Sequence, residues 1–224
     1  MVPINTEPTK SPDTRLIEAL AADASSTRLK AALTIGTDPD PALVETLMAR
    51  CAIEPDFYVR DMLTWALTRL PPGVTVPRLL TELGSEVAQA RSQALHTLSK
   101  VGDVSAWPAI TRSLLRDAND EVARAAWRAA VALVPDGQEQ DLARELAAQL
   151  GRGDREVQLS LSRALIELGD AVAPILHAAM GSDDPRVAAH AKATEQLLRD
   201  PDSTFELDVK AAKRVYALGA EWEA

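Results

Sequence analysis

Apolar and small residues recur along this chain at the spacing of a single helix face, and the arrangement returns about every thirty residues. Take six anchors, Leu29, Val59, Ala90, Val122, Val157 and Val187, which lie 30, 31, 32, 35 and 30 residues apart. Counted from each, apolar or small side chains mostly fill offsets 0, 4, 7, 8 and 11. In VQLSLSRALIELGD these are Val157, Leu161, Ala164, Leu165 and Leu168, one stripe of a 3.6-residue helix. ARSQALHTLSKVGD, starting at Ala90, repeats the pattern. Asp56, Ser85, Asn119, Asp154 and Asp184 precede the stripes as N-cap candidates. Gly102 and Gly169 follow two of them, where a left-handed residue ends a helix.

A second pattern lies between these helices. It runs proline, one residue, an aliphatic, three residues, an aliphatic: Pro41/Leu43/Leu47, Pro77/Leu79/Leu83, Pro108/Ile110/Leu114 and Pro174/Leu176/Met180. Each predicts a first helix opened by proline, whose missing N–H is tolerated in a first turn. Residues 140 to 150 fill the same slot through Leu142 and Leu146 without proline. The unit is therefore helix A, turn, helix B, turn. Neither helix of a pair buries its stripe alone, so neighbouring pairs must stack.

This predicts an all-α, right-handed α-α superhelix of about six helix pairs over residues 11–200, with A helices outside and B helices lining the inner face. Residues 1–10 are expected as a flexible tail, and 201–224 as a C-terminal capping helix and tail. Phe205, Val209, Ala212 and Tyr216 form the cap's apolar stripe, and Trp222 lies beyond it.

Composition narrows the picture. The chain is 46% hydrophobic but only 4% aromatic, with few β-branched runs, which favours close-packed helices. A net charge of -9 opposes binding to phosphate backbones as a whole-surface property. The single cysteine, Cys51, leaves no intrachain disulfide and no multi-thiolate zinc site, and is expected as a small core residue. No secretory apolar segment and no run of about 18 apolar residues is present, so a cytoplasmic protein is expected. His96, His177 and His190 show no ligand spacing, and no nucleotide, acyl-transfer or metalloprotease motif occurs. No metal, no cofactor and no catalytic residue is therefore expected. Trp107, before Pro108, is expected to pack the A-side turn, and Trp127, at offset 5, an inter-repeat crevice.

The periods, the proline of helix A, and a helix B reading V, R, two residues, A or L, then an aliphatic before G-D resemble HEAT repeats of the short bacterial type. The resemblance covers about residues 12 to 199. The arginine after the valine is replaced by Ala123, Gln158 and Ala188 in later copies, and the first copy has no G-D stop. Such repeats imply an interaction surface on the B helices.

Offsets 2 and 6 lie opposite the buried stripe. Offset 2 gives Ala31, Asp61, Ser92, Arg124, Leu159 and Ala189; offset 6 gives Ile35, Trp65, His96, Arg128, Arg163 and Ala193. Asp61, Trp65, His96, Arg124, Arg128 and Arg163 are the candidate partner-binding residues. A tryptophan with arginines supplies rigid area and bidentate hydrogen bonding to a protein or peptide. The six B segments hold 12 Lys plus Arg against 9 Asp plus Glu, net +3, so the rest of the chain carries -12. An acidic partner is thereby favoured over a basic one. The expectation is a non-enzymatic scaffold or adaptor, monomeric or weakly oligomeric, holding a protein or peptide in its groove. The runner-up rests on resemblance to HEAT-like alkylpurine DNA glycosylases, which Asp61 and Trp65 invite, although a groove of net +3 neutralises few phosphates. Phycobilin lyase-like HEAT proteins share only the repeat.

Overall fold

The computed structural model describes residues 12–200, with side chains from residue 14. Among these residues there are twelve α-helices, three 3-10 turns and no strand. The predicted tail at 1–10, the cap helix with Phe205, Val209, Ala212 and Tyr216, and Trp222 lie outside the described residues.

The chain divides into two compact units, Met1–Val101 and Gly102–Ala224. The first holds three helix pairs: α1 (Pro12–Leu20) with α2 (Ser25–Thr37), α3 (Val44–Ile53) with α4 (Phe57–Arg69), and α5 (Pro72–Glu82) with α6 (Ala88–Val101). Within it α4 packs against both α2 and α6, so the B helices lie side by side, while α3 and α5 cover α6. The second unit holds α7 (Arg112–Leu115) with α8 (Asp120–Leu133), α9 (Glu139–Ala147) with α10 (Arg155–Glu167), and α11 (Ala173–Met180) with α12 (Pro185–Arg199). Here α10 packs against α8 and α12, and α9 against α11. The paired-helix repeat read from the sequence is the fold.

The B-helix stripe is buried where the periodicity puts it. In α4, α6, α8 and α10 offsets 0, 4, 7 and 8 are all buried, from Val59, Leu63, Ala66 and Leu67 to Val157, Leu161, Ala164 and Leu165. Offset 5 is buried in the same four helices, as Thr64, Leu95, Trp127 and Ser162. The stripe is thus wider than apolar residues alone indicate, because two of these four side chains are hydroxyls. Trp127 fills its crevice as expected, fully buried, with its indole N–H donating to the Leu115 carbonyl at 2.8 Å.

The N-caps act as predicted. The Asp56, Asn119 and Asp154 side chains each accept from two backbone N–H groups, the second being that of the anchor valine three residues on. The Asp184 carboxylate accepts from Arg186 N at 2.8 Å, and Ser85 Oγ from Val87 N at 3.2 Å, just ahead of α6. Gly102 and Gly169 adopt φ of 70° and 64°, as a helix stop requires.

The arginine after the anchor has a local task. The Arg60 guanidinium donates to the carbonyls of Glu54 and Pro55 at 2.9 and 2.7 Å, and Arg91 to those of Ser85 and Glu86 at 2.8 and 3.3 Å. The residue thereby satisfies carbonyls left open in the A-to-B turn. Gln158 does the same with one bond, to Gly153 O at 3.3 Å. Before α8, where Ala123 cannot, Arg152 reaches the Asp117 carbonyl from the following turn.

Two expectations are corrected. In the first copy Arg28, not a residue after Leu29, donates to the turn carbonyls of Ala22 and Asp23 at 3.0 and 2.6 Å. The true register of α2 is therefore earlier by about one or two residues, and Ala31 and Ile35, assigned to the inner face, are buried. Ala189 and Ala193 are likewise buried in α12. Second, α5 is opened by Pro72, with Pro77 inside the helix. Pro108 falls in a 3-10 turn over Val104–Ala109, and α7 is reduced to four residues. Trp107 lies in that turn, half-buried, its indole donating to Gln138 Oε1 at 3.1 Å.

Leu165 has no exposed surface, and its truncation leaves a void between helices. Leu165→Ala is expected to cost about 2 to 5 kcal/mol in urea melts, whereas Arg128→Ala, on the exposed face, stays within about 0.5 kcal/mol.

Candidate partner-binding surface

The six predicted residues fall three to a unit. In the first unit Asp61 and Trp65 stand one turn apart on α4, both exposed. Trp65 is not free in space: its indole lies on α2 at Gly36, where a Cβ would come within 2.2 Å of the ring. The missing side chain of Gly36 makes room for the ring, which stays 37% exposed. His96 is half-buried on the neighbouring α6.

In the second unit Arg124 and Arg128 are one turn apart on α8, and Arg163 occupies the offset of Arg128 on the adjacent α10. Arg124 is engaged: its guanidinium lies 2.9 Å from Glu121 and 3.8 Å from Glu156. Its Nε is buried without a hydrogen-bond partner. Arg128 and Arg163 are exposed, and among the described residues neither makes a hydrogen bond or ion pair. Partial burial of Arg128, then the like charge of Arg124, lowers its pKa, with Glu121 acting in the opposite direction. Two neighbouring cations share one local acid cluster, and among the described residues only Arg124 forms an ion pair with it.

Beneath these surfaces lie two polar clusters that periodicity did not disclose. In the first unit the fully buried Glu54 carboxylate accepts two bonds of 2.7 Å from Arg28 and another of 2.7 Å from Arg50, plus Asp56 N at 2.9 Å. Burial pushes its pKa up, yet the two arginines prevail and hold it at about 2. The signal in the sequence was an acid ending helix A, two residues before the N-cap Asp56.

In the second unit His190 is completely buried on α12. Its Nδ1 accepts from Gly151 N at 3.0 Å, which assigns the ring proton to Nε2; that atom lies 3.0 Å from both the Gln158 carbonyl and Ser162 Oγ. Ser162 also meets Thr194 Oγ1 at 2.7 Å. Ligand spacing was the wrong test for this histidine. The informative feature was polar residues recurring at stripe positions of two successive B helices.

Cys51 is buried as expected, and burial pushes its thiol up to about 12, so it stays neutral at ordinary pH. Among the described residues no cluster of three or more metal-ligating side chains occurs, and no helix is long and apolar enough to cross a membrane.

Residues 52–132 match the family model of HEAT repeats, so the recognition made on the sequence holds there. No curated protein matches the chain. Among solved structures, the complex of CpcE and CpcF of phycocyanin lyase from Nostoc sp. PCC7120 superposes with a TM-score of 0.48 at 18% identity, covering 96% of this chain and 97% of that one. The likeness is one of fold. That complex is a lyase, an enzyme, so the expectation of a non-enzymatic protein is withdrawn, while the lyase activity belongs to that protein alone.

His190 gives a test of the buried network. Burial lowers its pKa to about 4, outweighing the bond to the Gln158 carbonyl, whereas an unfolded histidine titrates near 6.5. The folded state therefore prefers the neutral ring: the stabilisation is full above about pH 6.5 and is lost as pH falls toward 4. Between pH 7 and 5 urea melts should show about 2 kcal/mol more loss in the wild type than in His190→Gln. Equal slopes would place the proton elsewhere.

Proposed function

We propose that this chain is a partner-binding repeat protein that holds an acidic protein or peptide segment against the exposed faces of its B helices. The observation that carries the reading is the pair Arg128 and Arg163. They stand at one repeat offset on adjacent helices of one unit, exposed and without a carboxylate of their own among the described residues. Surface arginines in a chain of net charge -9 have acids to choose from, as Arg78 with Glu45 and Arg144 with Asp141 illustrate. Two left unpaired side by side favour a carboxylate from outside. A guanidinium accepts it with two parallel donors, and Arg124 nearby raises the local potential.

Strength comes from the paired charges, which offset the cost of removing water from them, and the salt dependence of such contacts is strong. A short peptide alternating glutamate and leucine, labelled with fluorescein and followed by anisotropy, provides the test. Binding is expected to weaken about tenfold or more in Arg128→Glu/Arg163→Glu, to fall with added salt, and to change little in Trp65→Ala. Affinity equal to wild type in the double variant would move the working surface elsewhere. Duplex DNA is expected to compete poorly.

A further inference from the structure

The outward face of α4 carries aromatic side chains around one acid. At 100° per residue Phe57, Asp61, Trp65 and Tyr58 fall within an arc of about 100°. Phe57 is 65% exposed, Tyr58 72% and Trp65 37%, a concentration of bare aromatic surface on one helix. The Phe57 and Tyr58 rings meet edge to face, 5.6 Å between centroids at 77°. Asp61 follows Phe57 by four residues and Tyr58 by three, and precedes Trp65 by four, so all three rings are its neighbours on the helix surface. The carboxylate makes no hydrogen bond or ion pair among the described residues. The adjacent cation, Arg60, is turned to the carbonyls of Glu54 and Pro55.

A lone acid amid aromatic faces is chemically specific. The carboxylate attracts a cation, the ring faces attract it again through their quadrupoles, and their apolar bulk covers the stem of a long basic side chain. We propose that this face of α4 docks a protein partner presenting an arginine or lysine flanked by apolar residues, with Asp61 accepting the charge and Phe57, Tyr58 and Trp65 packing the stem. The inference rests on the reading that exposed B-helix faces are the working surface, but its charge is opposite to that of the α8 and α10 cluster. A second copy of this chain fits less well, since a stable interface needs about 800 Å² from each partner, more than these side chains of one helix expose.

The full chain, labelled with nitrogen-15, is titrated with acetyl-Leu-Arg-Leu-amide and with the same peptide carrying neutral citrulline for arginine. Saturable shifts of the Tyr58 and Asp61 amides and the Trp65 indole are expected. Affinity should be about tenfold lower for the citrulline peptide and in the shape-conserving Asp61→Asn. It should be unchanged in Arg128→Glu/Arg163→Glu, so failure of the acidic-partner reading leaves this result distinct. Equal affinity for both peptides, wild-type binding in Asp61→Asn, or no saturable shift up to the solubility limit overturns the proposal. So do shifts on α4 that grow with protein concentration without peptide, which would assign the face to a second copy.

Discussion

No B helix in this protein covers its own apolar stripe. In α4, α6, α8 and α10 the side chains at offsets 0, 4, 5, 7 and 8 are buried, more than half the positions of two helical turns. A stripe so wide closes only when helices contact it from several sides, as α2, α3, α5 and α6 do around α4. That requirement explains the repeat period, the alternation of helix types and the abundance of alanine where backbones approach closely. It also leaves exposed on these helices mainly positions away from the stripe, such as Asp61, Trp65, Arg128 and Arg163.

The turns bring a second constraint. Each A-to-B connection leaves carbonyls without helical partners, and the protein meets this with donors anchored on the following helix. Arg60, Arg91 and Arg28 supply two bonds each, Gln158 one, and Arg152 reaches across from a neighbouring turn where the usual arginine is missing. Arg28 has a further commitment to Glu54, so one guanidinium joins the first turn to the second. Removing one member there strands a buried charge, which costs far more than the pair contributes when intact. The apolar stripe supplies most of the stability, and these polar clasps set the register of each pair on the next.

What was legible in the sequence follows from this division. Apolar periodicity is a local property, and with capping residues three before the anchors of α4, α8 and α10 and five before that of α6 it marks four of the B helices residue by residue. In the first copy hydrophobicity points to Leu29 as the anchor, whereas the turn-binding Arg28 marks the register. Pro77 misled because proline is admissible inside α5 once Pro72 has opened the helix. The His190 and Glu54 clusters depend on residues 26 to 39 apart, and no pattern within one helix reports such pairings. Among the candidate residues the exposure of Asp61, Trp65, Arg128 and Arg163 is readable from helix angle alone. The seating of Trp65 on Gly36 and the engagement of Arg124 by Glu121 and Glu156 were not.

The same geometry explains how one chain can present surfaces of opposite character. Offsets 2 and 6 lie at the margin of the stripe, buried at Ser92 and exposed at Asp61, Trp65, Arg128 and Arg163, so the side chain there changes from copy to copy while the stripe beneath does not. In α4 those positions hold an acid and an indole, and in α8 two guanidinium groups. The backbone below is nearly the same in both, a helix anchored by a valine whose N–H is held by the preceding cap. Chemistry therefore changes from copy to copy while the fold does not. A cation unpaired among the described residues of one unit and a carboxylate unpaired in the other are each compatible with a stable protein, because both charged groups keep contact with water. Desolvating either one would cost free energy that only a complementary charge offsets.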